Sequence, residues 1–329
     1  MATSPSSPSS PSGSSSDTAK LVESAWQDQA TWSAVANELA ASIRRWRKIA
    51  AIGGVAGVFV TVLASTLSGE HQQTGRNTLS MLGVLLLAVV PYVQSIQLTP
   101  ARISTWTRAR NVSELLKESI FRFMMGALPA EPTADPATDG ATPPDPSNPA
   151  ALLRRCRGIR QEVQDLAGLA AAISVAKPDK PSSLTIDGYL LERIGKQVDY
   201  YAKNSTSAAL AARKLRQGEF LLGVLAVVLA ALPGTDLTQQ LPMLSSLAPW
   251  VGVVTTAGGA VSAHLAAGKQ EHTAMLYFAT GARLRSIRDE WLCDAAHDQP
   301  EQVRRLVDDI ERAISSETEA WVADWNKAA

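Results

Sequence analysis

Residues 49–67, IAAIGGVAGVFVTVLASTL, and residues 79–96, LSMLGVLLLAVVPYVQSI, decide the fold, because neither run contains a charged side chain and only a short polar loop separates them. At a rise of about 1.5 Å per residue, a helix of about 19 apolar residues extends roughly 28 Å, the hydrocarbon thickness of a bilayer. A second pair follows the same plan. Residues 247–265, LAPWVGVVTTAGGAVSAHL, carry only His264 near their end, and residues 220–232, FLLGVLAVVLAAL, form a shorter run stopped by Pro233-Gly234. That third run extends only roughly 20 Å, so crossing requires Arg213 and Arg216 to snorkel or the bilayer to thin locally. The pattern predicts an all-α integral membrane protein with two transmembrane hairpins and long cytoplasmic amphipathic helices. The competing reading is a soluble bundle whose central helices are apolar all round; paired short runs with matching charged flanks favour the membrane.

Orientation follows from the placement of Lys and Arg. Arg44, Arg45, Arg47 and Lys48 precede the first run, and Arg102, Arg108 and Arg110 follow the second. Arg213, Lys214 and Arg216 precede the third run and Lys269 follows the fourth, whereas the two connecting loops hold only Arg76, Glu70 and Asp236 as charges. Basic flanks stay in the cytoplasm, so a multi-pass protein of the cell membrane with both termini cytoplasmic is expected.

Composition narrows the chemistry. With 31 basic against 31 acidic residues the chain has no global bias toward nucleic acid. Cys156 and Cys293 stand far apart in predicted cytoplasmic helices, which argues against both a structural disulfide and a zinc site. His264 and His272 lie about 12 Å apart along a helix, too far to hold one metal ion. Gly268-Lys269 lacks the remaining residues of a phosphate-binding loop, and no catalytic triad or dyad motif is present. Glu114, Lys117 and Glu118 read as a solvated helix face. A non-enzymatic protein without cofactor or metal is expected.

Along the chain a duplication is interrupted by a linker. Residues 1–18 form a Ser/Pro-rich tract without an apolar signal region, expected to be disordered, so the first span would serve as the insertion signal. A first two-span module covers 19–127, a Pro-rich linker 128–150, an amphipathic docking helix 151–177, a second module 183–297 and a C-terminal amphipathic helix 298–329. Trp32, Val35, Leu39, Ile43 and Trp46 recur at helical spacing before the first hairpin, as Leu190, Ile194, Val198 and Tyr201 do before the second. The docking stripe is Leu152, Ile159, Val163, Leu166, Ala170 and Ile173, and the C-terminal stripe is Val303, Leu306, Ile310, Ile314 and Trp321. Arg44 and Arg213, Trp32 and Tyr201, and Leu115 and Leu284 each stand 169 positions apart, one shared register for two copies of a module.

The spans offer small and hydroxyl-bearing residues. Gly53 and Gly57 form a GxxxG pair, Gly83 lies in the facing run, and Gly259 and Ala263 repeat the spacing; such residues let helices approach closely. Thr61, Ser65, Thr255, Thr256 and Ser262 carry hydroxyls that serve either packing within a hairpin or a water-filled path in an oligomer.

The residues themselves resemble a family. The stretch Trp26-Gln27-Asp28-Gln29-Ala30-Thr31-Trp32-Ser33, the basic cluster, the hairpin and then Arg108, Arg110, Glu114 and Lys117 resemble one subtype of SLATT domain. Tyr189, Arg193, Gln197, Tyr200 and Tyr201, then Arg285, Asp289 and Trp291, then Glu317 and Trp321, resemble another. The resemblance covers nearly all of the chain outside the N-terminal tract and the linker. It implies a two-transmembrane effector domain associated with bacterial nucleotide-synthesising and nucleotide-sensing conflict systems, one that permeabilises the cell's own membrane. Partners so implied are the lipid bilayer, further copies of the chain in a homo-oligomer, and a nucleotide-sensing or nucleotide-synthesising protein that supplies the trigger. Two expectations stand side by side: a pore-forming effector that must oligomerise, since four helices scarcely enclose a pore, and a non-conducting membrane scaffold that recruits a cytoplasmic partner.

Overall fold

The computed structural model describes residues 12–67, 73–129, 148–178, 184–232, 247–293 and 299–327, and every regular element among them is helical. The helices are α1 (Ser12–Thr66), α2 (Gln73–Tyr92), α3 (Pro100–Met124), α4 (Pro149–Gln161), α5 (Ala167–Ala171), α6 (Ile186–Tyr189), α7 (Lys196–Ala231), α8 (Trp250–Gly268), α9 (Gln270–Cys293) and α10 (Pro300–Lys327). Local chemistry sets several boundaries. The Asn148 side chain accepts the Ala150 amide at 2.9 Å and Pro149 fills the first turn of α4. After α3, Gly126 turns at φ 63°, and the Ala127 amide donates to the Arg122 carbonyl at 2.8 Å, a left-handed stop that favours glycine. Pro91 removes one amide donor from α2, and a π turn, Val93–Gln97, ends that helix. A second π turn, Leu190–Gly195, joins α6 to α7.

The chain divides into two compact units. The first contains the described residues of Met1–Asn37, Thr105–Lys196 and Arg283–Val322. Its core gathers Val35, Leu116, Ile120, Leu152, Ile194, Leu284, Ile310 and Ile314. The second contains the described residues of Glu38–Ser104, Gln197–Ala282 and the last stretch of the chain, and holds all four apolar runs.

In the second unit large apolar side chains face outward. Ile52, Met81, Phe220 and Val227 are 67–70% exposed. Burying such side chains is worth roughly 1.5–3 kcal/mol each, so a folded surface of this kind needs an apolar surrounding, and lipid supplies it. Three helical stretches, Ser16–Thr66, Gln73–Gln97 and Trp250–Cys293, are long and apolar enough to cross a membrane. The run expected at 220–232 is not among them. Its helix carries Arg213, Lys214, Arg216 and Glu219 immediately before Phe220, and the described helix ends at Ala231, so the apolar length falls short.

Three further expectations are corrected. The tract expected to be disordered over 1–18 is helical from Ser12, where its residues extend α1; residues 1–11 lie outside the described residues, as do 130–147 of the linker. The docking helix expected over 151–177 breaks after Gln161. The chain there turns through Val163 and the short helical turn Gln164–Leu166, because Asp165 and the Glu162 carbonyl are held by Arg108 at 2.7–2.8 Å. The Glu114, Lys117, Glu118 face is not solvated, because groups distant in sequence cover it. Glu118 is buried, accepts from Ser315 of α10 at 2.8 Å and from Arg122 at 2.8 Å, and Arg122 also pairs with Asp308.

Candidate functional site

Two groups of residues carry the chemistry, one in each unit. In the second unit, close helix approach begins with glycine. A Cβ added at Gly57 would stand 2.7 Å from Leu87 Cγ, and one at Gly83 would strike the Thr61 hydroxyl and lie 3.1 Å from the Gly57 carbonyl oxygen. Gly53 faces the Leu86 carbonyl at 3.5 Å in the same sense. These glycines pack α1 against α2 within one hairpin. Gly259 differs: nothing lies within 4 Å of the space a Cβ would fill, and Ala263 beside it is exposed.

The span hydroxyls turn back on their own helices. Thr61 donates to the Gly57 carbonyl at 2.8 Å, Ser65 to Val62 at 2.7 Å, Thr255 to Val251 at 2.9 Å and Thr256 to Gly252 at 2.7 Å. Ser262 alone of the five reaches another helix, donating to the Glu219 carboxylate on α7. Around this contact lies a groove of about 890 Å3 whose lining includes Arg216, Phe220, Leu265 and Lys269. Lys269 sits at φ 46° between α8 and α9 and so redirects the chain there. Among the basic clusters, Arg44, Arg45, Lys48, Arg213 and Lys214 are exposed, Arg47 donates to the Ala267 carbonyl at 2.9 Å, and Arg216 pairs with Glu271. Arg47 thereby meets the carbonyl end of α8, where positive charge is favoured.

In the first unit the family-motif residues converge on a buried ion pair. The Arg193 guanidinium donates to both Glu311 oxygens, Nε at 2.9 Å and Nη2 at 2.6 Å, and Tyr189 donates its hydroxyl to Glu311 at 3.0 Å. Arg193 and Glu311 are 1% and 0% exposed at the side chain. Burial opposes the Arg193 charge, but Glu311 more than offsets it and holds the guanidinium above its ordinary value. Burial, and then the Glu311 charge, push the Tyr189 phenol well up. Burial and the nearby Arg193 lower the Lys117 ammonium. Arg193 lies 5.0 Å over the Phe121 ring, which meets Trp26 edge-on at 5.6 Å and Tyr189 at 5.9 Å. Beside Arg193 a cavity of about 20 Å3 includes Glu114 in its wall.

Other motif residues close the remaining seams. Arg110 stacks 4.7 Å from the Trp321 ring, which Trp106 meets at 4.8 Å, and Gln29 donates to Ser113 at 3.1 Å. Trp32 and Tyr201 are buried at equivalent positions of the repeat, Tyr201 against Tyr277 at 5.5 Å and 3.2 Å from the space a Cβ would fill at Gly281. Glu317 is buried, while Gln197 and Trp291 are half-buried. Sequence reading missed Glu311, Glu219 and Phe121. The signal for Glu311 was available: an acid at positions i+4 from Val307 and i−3 from Ile314 lies on the apolar stripe of α10. Among the described residues no cluster of His, Cys, Asp or Glu suited to a metal ion is found.

Helices able to span a membrane, outward apolar faces and a helical unit closed around a buried ion pair define an all-helical membrane protein. Residues 189–321 match the family described as SMODS and SLOG-associating 2TM effector domain 1, and residues 29–135 match a related family described as protein of unknown function (DUF4231). The chain thus carries a SLATT effector domain at 189–321 and a SLATT-related domain at 29–135, in tandem order. No curated protein and no solved structure matches it.

Proposed function

We propose that this protein is a membrane effector of a bacterial conflict system that oligomerises and permeabilises the membrane in response to a nucleotide-linked or partner-borne signal. The observation that carries the reading is the outward apolar surface of the second unit in a chain that carries a SLATT effector domain. Both hairpins sit in the cell membrane with the termini cytoplasmic, as the basic flanks favour, the short run at 220–232 crossing with Arg213 and Arg216 snorkelling and the bilayer thinned locally. A conducting path needs polar groups that lipid penalises, and Thr255, Thr256 and Ser262 of α8 are the residues available for it. Their hydrogen bonds, local for Thr255 and Thr256 and to Glu219 for Ser262, leave each hydroxyl oxygen able to accept from water.

Overproduction in a bacterial host, read with a potential-sensitive dye, tests this: the wild type depolarises the membrane, and replacing Thr255 and Thr256 together by Val reduces depolarisation without reducing insertion. An unchanged potential with full insertion, also after exposure to extracts of infected cells, overturns the pore reading. A second reading is then favoured by the back-bonding of Thr61, Ser65, Thr255 and Thr256 to their own helices, which suits packing alone: a non-conducting scaffold that recruits a cytoplasmic partner.

A further inference from the structure

We infer that Glu219, held by Ser262, is the charge-selecting group at the cytoplasmic mouth of the conducting path and gives that path a preference for cations; the inference rests on the pore reading above. Ser262 lies six residues before Gly268, the end of α8, which places its hydroxyl about 9 Å inside the helix end. The Glu219 carboxylate bonded to it, inside α7 and immediately before the apolar run that begins at Phe220, is held at that depth. A carboxylate at that depth is tolerated where it faces water or a polar partner, and Glu219 has both: the Ser262 hydroxyl and an open groove of about 890 Å3. The wall beside it is apolar, Phe220 on one helix and Leu265 on the other, so no counter-charge adjoins it on that side.

The other charges of the groove do not cancel the Glu219 charge where it matters. Arg216 is engaged by Glu271, and Lys269 follows the last residue of α8, seven residues beyond Ser262 and so about 10 Å further along the helix axis. The deepest formal charge on the groove wall is thus negative. Repeated once per copy in an oligomer, it becomes an acidic ring, the arrangement that selects cations in channels.

The test uses the purified full-length protein in planar bilayers under a KCl gradient, without added nucleotide and with cyclic di-AMP. The wild type is expected to show a reversal potential on the potassium side. Glu219→Gln preserves size and the Ser262 hydrogen bond, so it should keep the conductance and move the potassium-to-chloride permeability ratio toward one. Glu219→Lys should carry the ratio to the chloride side. Insertion and elution volume of each variant are checked against the wild type, and Asp199→Asn, an exposed acid of α7 outside the groove, serves as the comparison that should leave the ratio nearly unchanged. A conducting wild type whose reversal potential is the same in Glu219→Gln and Glu219→Lys overturns this inference and leaves the pore reading intact. A wild type that conducts under neither condition and does not depolarise cells overturns both.

Discussion

At the scale of single residues, the ion pair between Arg193 and Glu311 is the most consequential contact of the first unit. Both side chains are removed from water, two hydrogen bonds join them, and Tyr189 donates a third to the same carboxylate. Arg193→Met strands a buried carboxylate and is expected to destabilise the unit by about 3–5 kcal/mol, whereas combining it with Glu311→Leu should recover most of that loss. Thermal unfolding of the detergent-solubilised protein, followed by circular dichroism, measures both; equal losses in the single and double variants would refute the pairing. Lys117 is the opposite case, a cation whose charge burial and Arg193 disfavour. Because its folded pKa lies below its unfolded value, the unfolded chain binds more protons between the two, and this group's contribution to stability should rise with pH through that interval. Lys117→Met should abolish that increment in a pH series of unfolding midpoints.

At the scale of helices, glycine placement separates packing inside a hairpin from surface left open. Gly57→Leu drives a side chain into Leu87, so it is expected to loosen the first hairpin by about 1–3 kcal/mol. Gly259→Leu meets open space and should leave thermal stability unchanged. The pair of variants, compared by unfolding in one detergent, checks the assignment. Helix α10 buries Leu306, Val307, Ile310, Ile314 and Trp321 and covers the Glu118 and Arg193 charges. Deleting residues 299–329 should make the first unit susceptible to limited proteolysis while the apolar helices stay membrane-associated. The apolar stripes of α1 and α10 were readable from spacing, since a single face of period 3.6 must find cover. The break after Gln161 was not, because Arg108, a distant residue, satisfies the turn.

At the scale of the whole molecule, the family modules and the compact units do not coincide. The match at 29–135 and the match at 189–321 each contribute helices to both units. Topology is checked by cysteine labelling: Ser68→Cys and Gln239→Cys should react with an impermeant thiol reagent in intact cells, and Ala328→Cys should not. Native cysteines are removed first, and labelling at residue 328 would reverse the proposed orientation. Hydropathy and helical spacing were enough to read the helical class and three of the four apolar runs as membrane-capable, because bilayer thickness and helical rise impose those lengths on any chain. Which charges are buried was beyond their reach. Glu118 looked solvated until α10 covered it, Glu311 found Arg193 from 118 positions away, and Glu219 found Ser262 across 43. A charge enters a low-dielectric interior only when a specific partner meets it there, and that partner is supplied by the packing of distant segments rather than by local spacing.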